Sequence, residues 1–304
     1  MAELQLPNLI IAGVHKAGTT SVFTYLSKHP QVCASYKKEI GFFMPLRFNK
    51  PIPSLTEYST YFTHCNANSK YILEASPSYI YGTRKIGEVL IENLKGLKIL
   101  IILRNPTERL FSFYDSKVSN GFISKEISFK SFAQKSFELA GADITAMNKE
   151  NELYIRGFEE GCYINYLPYW VETFNVDLKV MFFEDLKKDS AFFMNELCEW
   201  LQIDFNYYKP EDFKIENKTT AYKNTVIHKL IYNSYQSMEK FWRKNSGLKN
   251  TVKNFYKKIN GTSEKRRLSE DDKNYFDTLY QTSNNSLKKY LLTKGMNRFP
   301  DWVK

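Results

Sequence analysis

Leu9-Ile-Ile-Ala-Gly-Val-His-Lys-Ala-Gly-Thr-Thr-Ser21 is the stretch on which the reading of this chain turns. Leu9–Val14 is a continuous apolar run of strand length, the pattern of a strand covered on both faces. Gly13 and Gly18 bracket a turn, and a helix is predicted from about Thr19 to Ser27. A strand, a glycine-containing turn and a helix in that order aim the backbone N–H groups of the turn and of the helix start at one point. That is a ready anion site. The glycine spacing matches the nucleotide-hydrolase pattern G-x-x-x-x-G-K-[ST]. After the second glycine, however, stands Thr19, and the lysine has moved into the loop as Lys16.

Working outward, Leu97-Lys-Ile-Leu-Ile-Ile-Leu103 is the strongest strand signal in the chain. It stops at Arg104-Asn105-Pro106, and proline suits the first turn of a following helix. A kinase or ATPase would hold magnesium with an aspartate at the end of this strand; Arg104 binds a phosphate directly. The two strand ends together describe a site for two anionic groups and no metal. Tyr71–Glu74 and Leu178–Phe183 are further strands, and helices are predicted over Ile86–Leu94, after Pro106, near Ser190–Leu201 and from Leu268–Asp271. Pro45, Pro51 and Pro53 mark a loop-rich stretch. Strands alternating with helices give an α/β fold: one domain over residues 5–304, with a central parallel sheet flanked by helices in a P-loop-like topology.

Composition narrows the class. The chain's 304 residues include 23 Phe and 21 Tyr, too aromatic for a disordered protein. Its apolar runs are strand-sized, well short of the ~20 residues of a membrane span. Met1–Pro7 carries no basic segment and Leu9–Val14 is too short for a secretory leader. Cys33, Cys65, Cys162 and Cys198 are scattered without CxxC or metal spacing, which predicts reduced thiols in a cytoplasmic protein. The formal charge of +10 arises entirely in residues 201–304, which hold 21 basic against 11 acidic side chains; residues 1–200 are balanced at 22 each. This last third reads as a basic helical part of the same domain. It is either a solvated lysine-rich face or a surface for polyanions such as nucleic acid, acidic glycan or a polyphosphorylated small molecule.

With both anion motifs in view, the chain resembles the sulfotransferases that use 3′-phosphoadenosine 5′-phosphosulfate (PAPS). Gly13-Val-His-Lys-Ala-Gly-Thr-Thr-Ser21 is similar to their 5′-phosphosulfate loop. Leu103-Arg104-Asn-Pro-Thr-Glu-Arg109-Leu-Phe-Ser112-Phe-Tyr114 is similar to their 3′-phosphate motif. Lys38-Glu39-Ile-Gly-Phe42-Phe43 resembles the Glu-x-x-Phe-Phe element of heparan-type glycan sulfotransferases. Glu74-Ala75-Ser76-Pro77-Ser78-Tyr79 resembles their Glu-Lys-(Ser/Thr)-Pro-x-Tyr segment. Gly161-Cys-Tyr163, Phe182-Phe-Glu-Asp-Leu186 and Asp301-Trp302 fit the broader family, so the likeness runs over roughly residues 8–302.

The resemblance implies in-line sulfuryl transfer from PAPS to an acceptor hydroxyl on a sugar or small-molecule metabolite, with adenosine 3′,5′-bisphosphate as product and no metal. It assigns Lys16 to the leaving phosphate oxygen, Ala17, Gly18, Thr19, Thr20 and Ser21 to the 5′-phosphate, and Arg104 and Ser112 to the 3′-phosphate. Lys218 or Lys223 would reach a nucleotide phosphate. The alcohol needs a base: Glu39 takes that role, with His15, whose intrinsic pKa is near neutral, as a rival. Glu74 is a third carboxylate, catalytic or orienting. Phe42, Phe43, Glu74 and Tyr79 are the acceptor-side candidates. Ala75 replaces the glycan enzymes' lysine, which leaves one cation fewer at the transfer centre. Tyr58, Tyr61 and Phe62, at helical spacing, read as core, and His29 and His64 as surface or packing residues. The competing readings are a metal-dependent kinase or NTPase, a nucleic-acid-binding protein using the basic last third, and a non-catalytic PAPS-binding relative. Oligomeric state is not legible.

Overall fold

The computed structural model describes residues 4–66, 68–146, 149–213, 221–222, 261–262 and 266–303. Lys218 and Lys223, with most of the basic stretch around 253–265, lie outside the described residues. Five strands form one parallel sheet: β1 (Leu9–Gly13), β2 (Val32–Ala34), β3 (Tyr71–Ala75), β4 (Lys98–Leu103) and β5 (Leu178–Phe182), in the order β2-β3-β1-β4-β5. A second, two-stranded antiparallel piece pairs β6 (Ala221–Tyr222) with β7 (Gly261–Thr262). The helices are α1 (Thr19–Leu26), α2 (Met44–Arg47), α3 (Leu55–Ser59), α4 (Thr83–Asn93), α5 (Pro106–Ser119), α6 (Phe129–Glu138), α7 (Lys149–Phe158), α8 (Leu167–Phe174), α9 (Phe183–Lys188), α10 (Ser190–Leu201) and α11 (Glu270–Thr293).

The sheet explains the apolar runs. All five residues of β1 are buried, and in β4 only Lys98 is not, because both strands are covered on both faces. The chain leaves β1 for β2 and β3 on one side and reaches β4 and β5 on the other. Open α/β sheets bind ligands beyond the carboxyl ends of their strands at such a switch point. The β1–β4 register slips between Ile11 and Gly13, an irregularity that kinks β1 as it enters the loop. Local chemistry sets the helix starts: Asn105 accepts from Glu108 N with Pro106 in the first turn of α5, and Ser269 accepts from Asp272 N at α11. Tyr58 and Phe62 have no exposed surface, as expected of core residues, and Tyr61 packs against them half-buried. A second cluster, built on Phe113, Tyr114, Phe132, Phe158, Phe276 and Tyr280, joins α5, α6 and α7 to α11.

Two findings depart from the sequence reading. The short edge strand β2 has no periodic signal; it exists because β3 offers a free edge, pairing Val32 with Tyr71 and Ala34 with Leu73. The expectation of four reduced cysteines fails at Cys33 and Cys65, which form a disulfide with Cα atoms 5.6 Å apart. Pairing of β2 on β3 and a Tyr36 N–H to Tyr61 carbonyl bond (3.1 Å) bring the two residues together, which no spacing rule reveals. Cys162 and Cys198 are free. Among the described residues, no helix is long and apolar enough to cross a membrane.

Candidate active site

The loop after β1 is shaped by its own packing. Gly18 caps α1 at φ 76°, and a Cβ there would stand 2.6 Å from Leu186 Cδ2 and 2.9 Å from Phe183 Cδ2. Packing of α9 against the turn therefore admits only glycine. Lys16 also holds a left-handed backbone, φ 70°, which an L residue adopts only where its surroundings over-determine it. One such restraint is Arg104: its Nη1 donates to the Lys16 carbonyl at 2.8 Å. Arg104 Nη2 bonds Glu108 Oε2 at 3.0 Å, its guanidinium lies 4.5 Å over the Phe183 ring, and its own carbonyl accepts from the Tyr163 hydroxyl at 2.8 Å. Its Nε is buried without a hydrogen-bond partner, an unsatisfied donor at the end of β4. Lys16 is half-buried with no carboxylate partner among the described residues; burial and the neighbouring Arg104 lower its pKa. Ala17, Thr19 and Ser21 are buried in the turn and α1, Thr20 and Gly18 are half-buried, and Ser112 lies half-buried in the second turn of α5.

A second loop carries Glu39, and it too is held in a left-handed conformation, φ 62°. Three bonds latch this segment onto the end of β3 and the turn after it. Glu39 N–H donates to the Ala75 carbonyl (2.8 Å), Gly41 N–H to Ser76 Oγ (2.9 Å) and Phe43 N–H to the Tyr79 hydroxyl (3.3 Å). The Glu39 side chain is 62% exposed and meets Lys38 Nζ at 2.6 Å. Crowding in the loop raises its pKa, but Lys38, His15 and Lys16 outweigh this and hold the carboxyl below its ordinary range.

Beneath the loop, Glu74 is fully buried and accepts from the Tyr58 hydroxyl (3.1 Å) and from Ser76 Oγ; burial pushes its pKa up to about 7. The Phe42 ring stacks on Tyr58 at 4.3 Å, and Phe43 meets Tyr58 and Tyr79 edge-on. Of the acceptor-side candidates, Phe43, Glu74 and Tyr79 have no exposed surface and Phe42 has 6%. In this conformation they support the Glu39 segment from below.

His15 is mostly enclosed, its side chain 15% exposed. Its Nε2 lies 2.6 Å from Glu160 Oε2 and its Nδ1 3.2 Å from Ser78 Oγ, while the ring stacks on Phe113. Burial, only partly offset by Glu160, lowers its pKa to about 4, so the imidazole is neutral. Glu160, Arg47 and Arg156, which converge around it, belong to no motif in the sequence; the only available signal is that Glu160 directly precedes Gly161-Cys-Tyr163. Lys117 was also missed: it lies 5.1 Å over the rings of Phe113 and Phe122, and burial with Arg156 nearby lowers its pKa to about 8. His29 and His64 stand apart from these loops. His29 Nε2 bonds the Asp204 carbonyl, and His64 packs on Tyr36 beside the disulfide. The two sulfurs there are joined to each other and have no thiolate for a metal.

Comparison with known proteins gives the family and the fold. The sulfotransferase domain profile matches residues 6–294. Membrane-associated sulfotransferase kil1 of Dictyostelium discoideum is 38% identical over 113 residues, 36% of this chain and 23% of that protein. Bifunctional heparan sulfate N-deacetylase/N-sulfotransferase 1 of Caenorhabditis briggsae is 23% identical over 99% of this chain and 32% of its own length. The chain thus spans about a third or less of these curated relatives. A crystal structure of a sulfotransferase from Alicyclobacillus acidocaldarius superposes with a TM-score of 0.59 at 26% identity, covering 70% of this chain and 87% of that one.

Proposed function

The chain belongs to the sulfotransferase domain family, and from that premise we propose that it transfers a sulfuryl group from PAPS to a hydroxyl of a sugar or small-molecule acceptor. The observation that carries the reading is the joint between the two anion motifs. Arg104 Nη1 donates to the Lys16 carbonyl, so the ends of β1 and β4 form one cationic edge, with Arg104 Nε buried and without a hydrogen-bond partner. The 5′-phosphate would lie on the loop amides of Ala17 and Gly18 with Thr19, Thr20 and Ser21, at the start of α1. Arg104 and Ser112 would hold the 3′-phosphate.

In the transfer step the acceptor oxygen attacks sulfur while its proton passes to the Glu39 carboxylate. The bond from sulfur to the 5′-phosphate oxygen breaks, and its electron pair remains on that oxygen. Lys16 Nζ stabilises the charge there, a fixed cation placed where charge develops. Glu39 suits the base because it is exposed and ionised, whereas His15 has Nε2 committed to Glu160 and Glu74 is enclosed. The products are the sulfated acceptor and adenosine 3′,5′-bisphosphate, and no residue of the scheme calls for a metal.

The names of the curated relatives, heparan sulfate enzymes among them, support a carbohydrate acceptor. A cytoplasmic location loses the support of reduced thiols at Cys33 and Cys65, since disulfides persist in oxidising surroundings. Thr19 and Arg104 stand against the kinase reading, which needs lysine and a magnesium-holding aspartate at those places.

Calorimetric titration with the bisphosphate tests the proposal. Metal-independent binding is expected, weakened ~10–100-fold in Arg104→Ala, the worth of a charge-assisted contact. Preference for ATP with magnesium, or no nucleotide binding, would overturn it.

A further inference from the structure

Glu160 lies in the turn Glu159–Gly161, after α7, and has no exposed surface. Side chains from three separate segments close on it. His15 Nε2 reaches Oε2 at 2.6 Å, Arg47 Nη1 reaches Oε1 at 2.6 Å, and Arg156 Nε reaches Oε1 at 3.2 Å. A carboxylate at this depth keeps its charge only when fully paired. Neither Lys16 nor Glu39 touches it, so it takes no part in the proton or sulfuryl step.

We propose that Glu160 is a positioning residue that registers the Lys16 loop against the Glu39 segment, gripping the first through His15 and the second through Arg47. On the first side, the imidazole is held at both nitrogens, Nε2 donating to Glu160 and Nδ1 facing Ser78 Oγ. It cannot swing without breaking both contacts. The residue that precedes Lys16 is thereby fixed, while the Lys16 carbonyl is held from the opposite side by Arg104. Between these anchors the backbone passes through its left-handed conformation, which sets the direction of the lysine side chain. On the second side, Arg47 ends α2, which begins directly after Phe43. The Glu39 segment is thus pinned to β3 at its start and, by Arg47, to Glu160 at its end. One buried carboxylate fixes both loops in a common frame, and transfer depends steeply on such alignment.

The inference rests on the assignment of Lys16 and Glu39 above, and its test separates the two. The full chain is studied as wild type, His15→Leu and His15→Gln, each also in a Lys16→Ala background. Turnover is read as release of the bisphosphate from PAPS with water as acceptor, bisphosphate affinity by calorimetry, and the His15 tautomer by long-range proton–nitrogen NMR. In the wild type, His15 is expected to remain neutral with its proton on Nε2 from about pH 5 to about pH 8, the range in which a free histidine titrates. His15→Leu is expected to lower turnover ~30–100-fold while bisphosphate affinity changes less than ~3-fold. His15→Gln, which keeps an N–H donor toward Oε2, recovers most of that loss. In Lys16→Ala neither substitution lowers the residual rate by more than ~3-fold, because the effect runs through Lys16.

The proposal is overturned if the Leu and Gln variants are equally impaired, or if the Leu loss persists undiminished without Lys16. Absence of bisphosphate binding in the wild type overturns the donor reading itself, and the His15 signals then still report whether the Glu160 contact exists.

Discussion

Glu74, in β3, and Glu160, in the turn after α7, are both wholly buried, and both lie under a loop that carries a proposed reactive side chain. Glu74 is met by the hydroxyls of Tyr58 and Ser76, and burial pushes its pKa up to about 7. Around Glu160 stand Arg156, His15 and Arg47, and although burial alone would raise its pKa, these neighbours hold it well below the usual carboxylate range. Equal depth therefore gives opposite charge behaviour, because a hydroxyl solvates a carboxyl without compensating its charge, whereas a guanidinium does both. The difference suits the two loops. Glu74, about half protonated at neutral pH, is a hydrogen-bonded strut that brings less negative charge under the Glu39 segment than an ordinary carboxylate would. An ionised Glu160 can hold two arginines and a histidine beside a loop that must bind anions.

The largest expected effect separates the two corners by truncation. Glu160→Ala strips Arg47 of its only carboxylate partner among the described residues and leaves Arg156 with Glu152 alone, at 3.3 Å. A buried charge left unpaired costs about 3–5 kcal/mol. Glu74→Gln keeps shape and hydrogen-bonding capacity and should cost about 1 kcal/mol only at acid pH, where Glu74 is protonated; at neutral pH, where the buried ionisable carboxyl weighs against the fold, it should cost nothing or stabilise. Urea unfolding of both variants at neutral pH measures the gap; equal losses would mean that Glu160 is not the charged hub its contacts describe.

The pH dependence of stability should also differ in sign. Glu74 has a folded pKa of about 7 against an ordinary 4.5, so the folded state binds its proton more tightly. Its stabilising contribution is complete below about pH 4.5 and is lost as the pH rises to about 7, a change worth about 3 kcal/mol. For Glu160 the folded pKa is depressed, so its contribution is present above the ordinary value and lost as the pH falls through the folded one. Unfolding free energies across this range should show Glu74→Gln removing the decline toward neutral pH while leaving the acid loss intact. An unchanged profile in that variant would show that Glu74 ionises freely.

How far the sequence revealed these features follows from the range of the interactions behind them. The buried parallel strands β1 and β4 write their environment directly into apolar runs, and Asn105-Pro106 and Ser269 announce helix starts through contacts three residues long. Both anion motifs are local, so Lys16, Thr19 and Arg104 were legible, as was the Glu39 element with its paired phenylalanines. The three-residue strand β2 and the Cys33–Cys65 bond depend on a neighbouring strand and left no pattern. The same holds for Glu160, whose bonds to His15 and Arg47 span 145 and 113 residues. For that reason His15 reads from sequence as a free base, when its partner makes it a fixed donor. The motif around Glu74 and Tyr79 carries no measure of depth, and depth decides that these side chains lie under the loop.

The smallest expected effect tests the comparison at the surface. Lys38 and Glu39 meet at 2.6 Å, as close as either of the short contacts on Glu160, but the Glu39 side chain is 62% exposed. Water and salt screen such a pair, so its worth is typically below about 1 kcal/mol whatever its length. Lys38→Ala should therefore leave stability within about 0.5 kcal/mol of wild type. It removes one of the cations that hold the Glu39 carboxyl low, so the acidic limb of the turnover profile should move up in pH, by less than ~1 unit. In ~1 M salt, where charges are screened within ~3 Å, wild type and variant should converge. A displacement beyond ~2 units would put Glu39 in surroundings as enclosed as those of Glu160. No displacement at all would remove Glu39 as the group behind that limb, and with it the contrast between an exposed base and the buried carboxylates that hold the two loops in place.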